Sequence, residues 1–186
     1  MKSKARAVVI GGGVVGVSTL YHLAAKGWDD SILLERKSLT SGSTWHAAGL
    51  LPLFNMSYSV GQIHKYSVRF YQELQDETGM DVGFRKVSNI RLASTQDRMD
   101  EYLQYKGVAD TIGVEVKVLS PQEIKDCWPL VSTENLIGAI QHPEDGYIQP
   151  ADLTQAFAKG ARDKGAKIEI NTNVISIIRS PNDTWI

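Results

Sequence analysis

Two stretches near the N-terminus carry residue types that could do chemistry. The first is Gly11-Gly12-Gly13-Val14-Val15-Gly16, a Gly-x-Gly-x-x-Gly turn formed by Gly11, Gly13 and Gly16. In a strand–turn–helix setting the first glycine permits a tight turn. The second lets backbone approach a pyrophosphate, and the third lets helix pack on strand. The helix beginning near Val14 would point its free N–H groups and the positive end of its dipole at the phosphates. Glu35 stands nineteen residues after Gly16, where a carboxylate can accept both ribose hydroxyls of an adenosine. An acid there disfavours a 2′-phosphate, so NADP is not expected, but it does not separate NAD from FAD. The second stretch is Ser41-Gly42-Ser43-Thr44-Trp45-His46-Ala47-Ala48-Gly49. It sets hydroxyl donors and one imidazole where the isoalloxazine end of a flavin would lie.

These residues need elements to position them. Residues 5–10 read as a buried parallel strand, Val14 to Lys26 as a helix capped by Gly27, and 31–35 as a second strand. Together they make a βαβ unit. A helix is expected over 58–77, with Val60, Ile63, Ser67, Phe70, Tyr71 and Leu74 on its buried side. Strands follow at 83–87 and 89–93, a helix at 95–112 and a strand at 114–119. Ser120-Pro121-Gln122-Glu123 starts another helix. Leu136–His142 reads as a strand, 152–164 as a helix, and 167–170 and 174–179 as strands. Ser180-Pro181-Asn182-Asp183 signals a turn, and Trp185-Ile186 looks like the start of a returning strand. The chain therefore reads as truncated.

Composition narrows the function. Twenty-one acidic residues nearly cancel twenty basic ones, for a net charge of −1. That argues against a nucleic-acid partner, which needs a basic excess. No apolar run is long enough to span a bilayer, so no membrane partner is expected. Lys2, Lys4 and Arg6 precede an apolar run that superficially resembles a secretory signal, but glycines interrupt it. The single cysteine, Cys127, excludes a disulfide framework and is expected as a small buried hydrophobe. It fits a reducing, cytoplasmic setting. His22, His64 and His142 read as structural, and no metal site is expected.

The chain resembles the amine-oxidising flavoproteins of the D-amino-acid-oxidase superfamily, nearest to the dimethylglycine and sarcosine dehydrogenase branch. Glu35-Arg36 and the Ser43–Leu50 stretch carry the resemblance. Glu77-Thr78-Gly79, Asn89–Ala93 and Asp145-Gly146-Tyr147-Ile148-Gln149-Pro150 support it. It implies an α/β fold: a Rossmann-like FAD-binding domain of glutathione-reductase type, with the start of an antiparallel substrate domain. The segments expected are 1–82 (FAD-binding), 83–140 (partial substrate domain) and 141–186 (FAD-binding, incomplete).

The resemblance further implies that Val14 and Val15 touch the pyrophosphate and that Glu35 holds the ribose, with Arg36 beside it. Ser43, Thr44 and Trp45 line the flavin, Leu50 adds a backbone contact near the ring, and Val174 meets the adenine. His46 is the expected covalent tether, since an unprotonated imidazole nitrogen can attack an electrophilic flavin methyl carbon. The implied reaction is hydride transfer from an N-methyl amine to FAD. Water, or tetrahydrofolate bound in a later region, would trap the iminium. No catalytic residue is assigned. Arg91 is a candidate for a substrate carboxylate, against a structural ion pair. The Tyr147-Ile148-Gln149-Pro150 stretch departs from the His-Ile-Asp-Pro of the dimethylglycine relatives, so the substrate stays open. Two alternatives stand beside this reading: a catalytically silent regulatory or scaffold relative of the same fold, and an NAD-dependent dehydrogenase.

Overall fold

A computed structural model describes residues 4–182 and 184–186. Lys2 of the signal-like segment and Asp183 of the expected turn lie outside them. In chain order the elements are β1 (Ala7–Ile10), α1 (Val14–Ala25), β2 (Ser31–Leu34), a 3-10 turn (Ser43–His46), β3 (Leu50–Leu51), α2 (Tyr58–Thr78), β4 (Arg85–Lys86), β5 (Asn89–Ala93), α3 (Gln96–Ile112), β6 (Lys117–Leu119), α4 (Pro121–Cys127), β7 (Gly138–His142), β8 (Gly146–Tyr147), α5 (Pro150–Asp163) and β9 (Lys167–Glu169). The described residues gather in two compact units. One comprises Met1–Gly49, Glu73–Gly83 and Gln149–Ile186; the other comprises Leu50–Gln72 and Phe84–Ile148. Residues 50–72, grouped by sequence with the first FAD segment, fall in the second unit.

The first unit is built on a parallel sheet in the order β1-β2-β9. Ile10 pairs with Leu34, and Leu34 with Glu169. This register aligns the carboxyl ends of the strands, where ligands bind in open α/β sheets. Helix α1 packs on α5: the rings of Tyr21 and Phe157 lie edge to face at 5.5 Å. Val17, Leu20 and Ala24 of α1 and Leu153, Ala156 and Ala161 of α5 are buried. Each large side chain so buried contributes about 1.5–3 kcal/mol. Strand β1 was expected to be buried on both faces, yet Val8 and Ile10 are each about half exposed. Val8 and Ile10 point to the same face of the sheet, opposite to that of Ala7 and Val9, and it is this face that is left exposed.

The second unit holds two antiparallel sheets, β5-β7-β6 and β3-β8-β4. Alternate residues of β7 point to opposite faces. Ile140 joins Ala93, Met99, Tyr102, Tyr105 and Ile112 on the α3 side. Ala139 joins Leu119 and Ile124 on the α4 side. The predicted capping box of α4 is present: the Ser120 hydroxyl accepts from the Glu123 amide, and the Glu123 carboxylate accepts from the Ser120 amide.

Several expectations are corrected. The buried side of α2 does not include Val60 and Ile63, which are exposed; it runs instead through Gly61, whose backbone abuts Ile112 of α3. A small residue lets the two helices approach, and that turns the apolar neighbours outward. Residues 174–179 form no strand. Pairing there is limited to an Arg179–Trp185 bridge, with Ile178 and Ile186 exchanging backbone hydrogen bonds. The returning segment is thus present, but as a short hairpin end. Cys127 is exposed rather than buried, because it is the last residue of α4. Two-residue strands at Leu50–Leu51 and Gly146–Tyr147 had no periodicity to announce them.

Candidate functional site

The site is assembled at the carboxyl end of β1 and β2, all within the first unit. Gly11 takes φ +107°, a conformation that any side chain would resist. A Cβ on Gly16 would lie 2.0 Å from the Gly11 carbonyl oxygen, so helix and turn meet only because glycine is there. The N-cap of α1 is Gly13, which has no side chain to cap the helix. The first amides of α1 have no carbonyl one turn back to receive them. That of Val14 is instead accepted by the Thr44 hydroxyl oxygen at 2.9 Å. Val15, the next residue of α1, is exposed.

Glu35 is buried at the end of β2. Its Oε2 accepts the Gly12 amide at 2.6 Å, and its Oε1 accepts the Lys37 amide at 2.7 Å. Each carboxylate oxygen can accept more than one hydrogen bond, so acceptor capacity remains for hydroxyls. The chain after β9 runs beside it: the Thr172 amide donates to the Glu35 carbonyl and the Asn171 amide to the Lys37 carbonyl. Val174 follows two residues on, half buried and outside any strand. Arg36 is exposed.

The 3-10 turn brings Ser43, Thr44, Trp45 and His46 into one coil. Thr44 is buried, whereas Ser43, Trp45 and His46 are exposed. The Trp45 and His46 rings lie 3.9 Å apart between centroids. His46 Nδ1 sits 3.2 Å from the Gly42 carbonyl oxygen. A carbonyl only accepts, so Nδ1 is the donor in this contact, and in the neutral tautomer Nε2 is the nitrogen without a proton. The structure thus brings together the glycine turn, Glu35 and the Ser43–His46 turn, with the segment bearing Val174 alongside. Leu50 belongs to the second unit, where it pairs with Tyr147 in the β3–β8 ladder.

Sequence reasoning passed over Gly12, whose amide holds Glu35. It also passed over Thr40, which adopts φ +68° and donates its amide to the Gly12 carbonyl. The run of three glycines was the available signal for Gly12; Thr40 offered none. Arg91 is held by stacking, its guanidinium carbon 4.3 Å from the centroid of the Phe54 ring. His22 is structural, its Nδ1 lying 2.7 Å from the Ser18 carbonyl oxygen. Among the described residues no three His, Cys, Asp or Glu side chains gather as metal ligands would. No described helix is long and apolar enough to cross a membrane.

Comparison with known proteins now bears on this geometry. The pattern of the FAD dependent oxidoreductase family matches residues 6–186. The chain belongs to that family. Its members take FAD, which sets the NAD-dependent alternative aside. The chain is 40% identical to dimethylglycine dehydrogenase, mitochondrial, of Rattus norvegicus over 184 residues, covering 99% of this chain and 22% of the relative. It is 39% identical to sarcosine dehydrogenase, mitochondrial, of Homo sapiens over 178 residues, covering 95% of this chain and 19% of the relative. The crystal structure of L-proline dehydrogenase from P. horikoshii superposes with a TM-score of 0.90 at 27% identity, covering 98% of this chain and 48% of that one. The chain therefore spans about a fifth of the length of the curated relatives it matches. Its fold is that of the FAD-dependent oxidoreductases, α/β with mixed sheets.

Proposed function

We propose that this chain is the FAD-binding portion of an enzyme that oxidises N-methyl amines of the dimethylglycine or sarcosine kind. The observation that carries the reading is the buried Glu35 carboxylate gripped by the Gly12 amide at 2.6 Å. That grip puts a buried carboxylate directly beside a glycine turn and a helix N-terminus. A pyrophosphate would lie against the turn at Gly11 and Gly13, beside the start of α1 at Val14 and Val15, with Gly16 letting the helix meet the turn. Glu35 would hold the ribose hydroxyls with Arg36 at the rim, and Val174 would meet the adenine. Ser43, Thr44, Trp45 and Leu50 would serve the flavin end, with Trp45 shielding it from water. His46 would be the tether, through the nitrogen that Gly42 leaves bare.

When bound, FAD supplies the hydride acceptor for oxidation of the methyl carbon. The chain's own residues bind and orient it; none described here is assigned as an acid or base. The similarity to two dehydrogenases of N-methyl amino acids supports this substrate class. The altered Tyr147 and Gln149 leave its exact member open. Tetrahydrofolate would enter only through a region outside this sequence. A cytoplasmic location is the reading of the single cysteine.

The test is colour. The protein expressed in its full natural length and purified with FAD supplied is expected to be yellow, and to stay yellow in the pellet after acid precipitation. A colourless protein would overturn the flavin reading. A yellow supernatant over a white pellet would overturn only the tether. A yellow protein that oxidises neither dimethylglycine nor sarcosine would favour the silent, regulatory alternative.

A further inference from the structure

Away from the site, the second unit buries a group of polar side chains that no part of the proposed reaction uses: Tyr105 of α3, His142 of β7 and Asp145 just beyond it. All three are at most 2% exposed. They converge on Leu53, in the strap that follows β3. Asp145 Oδ1 accepts the Leu53 amide at 2.8 Å. Tyr105 Oη donates to the Leu53 carbonyl at 3.2 Å. That donation uses the one proton of Tyr105, so its contact with His142 Nε2 at 3.1 Å must be donated by the imidazole. The chain of bonds runs His142 to Tyr105 to Leu53. Asp145 also accepts the Val87 and Ser88 amides through its own carbonyl, at 3.1 and 2.8 Å. It thereby holds Ser88 at φ +70°.

We propose that Asp145 and Tyr105 are positioning residues that fix the Leu50–Phe54 strap by gripping both backbone polar groups of Leu53, with His142 orienting Tyr105. Strand β3 has two residues, too few to hold a register by itself. An apolar core of similar volume would be no less stable than buried ionisable groups. What the polar grip adds is one fixed place for the strap. Leu50, three residues before Leu53, is the flavin contact proposed above, and the inference rests on that reading. Burial brings the His142 pKa down to about 4, so the ring is neutral and its one N–H sits on Nε2.

The test is hydrogen exchange on the full chain, with FAD titration alongside. Tyr105→Phe removes one hydroxyl and keeps the ring. It is expected to raise exchange at the strap amides by about tenfold, with little change in α3 and β7. Asp145→Asn keeps an acceptor for the Leu53 amide and is expected to loosen the strap less than Asp145→Ala. That pair decides the matter if Tyr105→Phe fails to fold. Exchange that rises equally throughout the unit, or not at all, would overturn the proposal. A wild-type chain that takes up no FAD overturns the flavin reading, while the exchange pattern still decides the grip on Leu53.

Discussion

The hydroxyl oxygen of Thr44 accepts the backbone N–H of Val14 at 2.9 Å, across thirty residues of sequence. Val14 is the first residue of α1, and its N-cap glycine offers no side chain. Thr44 therefore caps the helix from a distance. It joins the turn that precedes the helix to the turn that carries His46. Both ends of the proposed cofactor site are fastened through one hydrogen bond.

Removing that hydroxyl tests the connection. Thr44→Val is expected to cost about 1 kcal/mol of stability, the usual loss for a helix cap, and to weaken FAD binding. Thr44→Ser keeps the oxygen and should stay near wild type in both. Denaturant melts and FAD titration measure the two effects. Equal behaviour of the Val and Ser variants would show that the bond does not matter.

Two glycines give opposite expectations. At Gly16 an added Cβ would sit 2.0 Å from the Gly11 carbonyl oxygen. Gly16→Ala should therefore displace the turn, costing about 3 kcal/mol or more, and abolish FAD uptake. At Gly107, inside α3, nothing lies within 4 Å of such a Cβ. Gly107→Ala should retain both stability and FAD. A thermal melt and the flavin absorbance of each purified variant decide this.

His46 is exposed, and its ring meets Trp45 and the Gly42 carbonyl. His46→Ala is expected to leave the melting temperature of the flavin-free protein unchanged. If His46 is the tether, the flavin of this variant passes entirely into the acid supernatant. A pellet that stays yellow would assign the tether to another residue.

Two buried groups of the second unit predict a pH dependence. Burial first, and Arg91 second, bring the His142 pKa down from 6.5 to about 4. The folded chain then binds fewer protons than the unfolded one between those values, and stability is lost as pH falls through them. Burial raises the Asp145 pKa from 3.8 to about 6, opposed by the Leu53 amide and Arg91. Here the folded chain binds more protons, so the contribution is present at low pH and lost as pH rises through 6. The two slopes nearly cancel between pH 4 and 6. Tyr105, the remaining titratable neighbour, is raised by burial to about 12 and stays protonated throughout. Asp145→Asn removes one slope and should expose the other, losing about 3 kcal/mol more than wild type on going from pH 6 to 4. Urea melts at the two pH values measure it, and equal losses would sink the assignment.

The βαβ unit was legible because each part has a local cause. The β-branched run 7–10, the glycine turn and the periodic helix need no distant partner to be recognised. The same holds for the capping box of α4, where Ser120 and Glu123 are three residues apart. The errors fall where a neighbour decides. Val60 and Ile63 have the right spacing for a buried face, but Gly61 lets Ile112 in and turns them outward. Residues 174–179 alternate like a strand, yet among the described residues pairing reaches them only at Ile178 and Arg179. Leu50–Leu51 exists as a strand only because Tyr147 and Gly146 arrive opposite it.

The sequence by itself pointed to the cofactor class and to the residues proposed around it. Backbone geometry at Gly11 and Gly16 and the chemistry of Glu35 and His46 are properties of residue type and short spacing. Tertiary structure alone decided how those groups are held. The Gly12 amide on Glu35, the Thr44 hydroxyl on Val14, and the grip of Asp145 and Tyr105 on Leu53 join positions 23, 30, 92 and 52 residues apart. A hydrogen bond needs its partners within about 3 Å, and no local pattern records which distant oxygen a folded chain will bring that close.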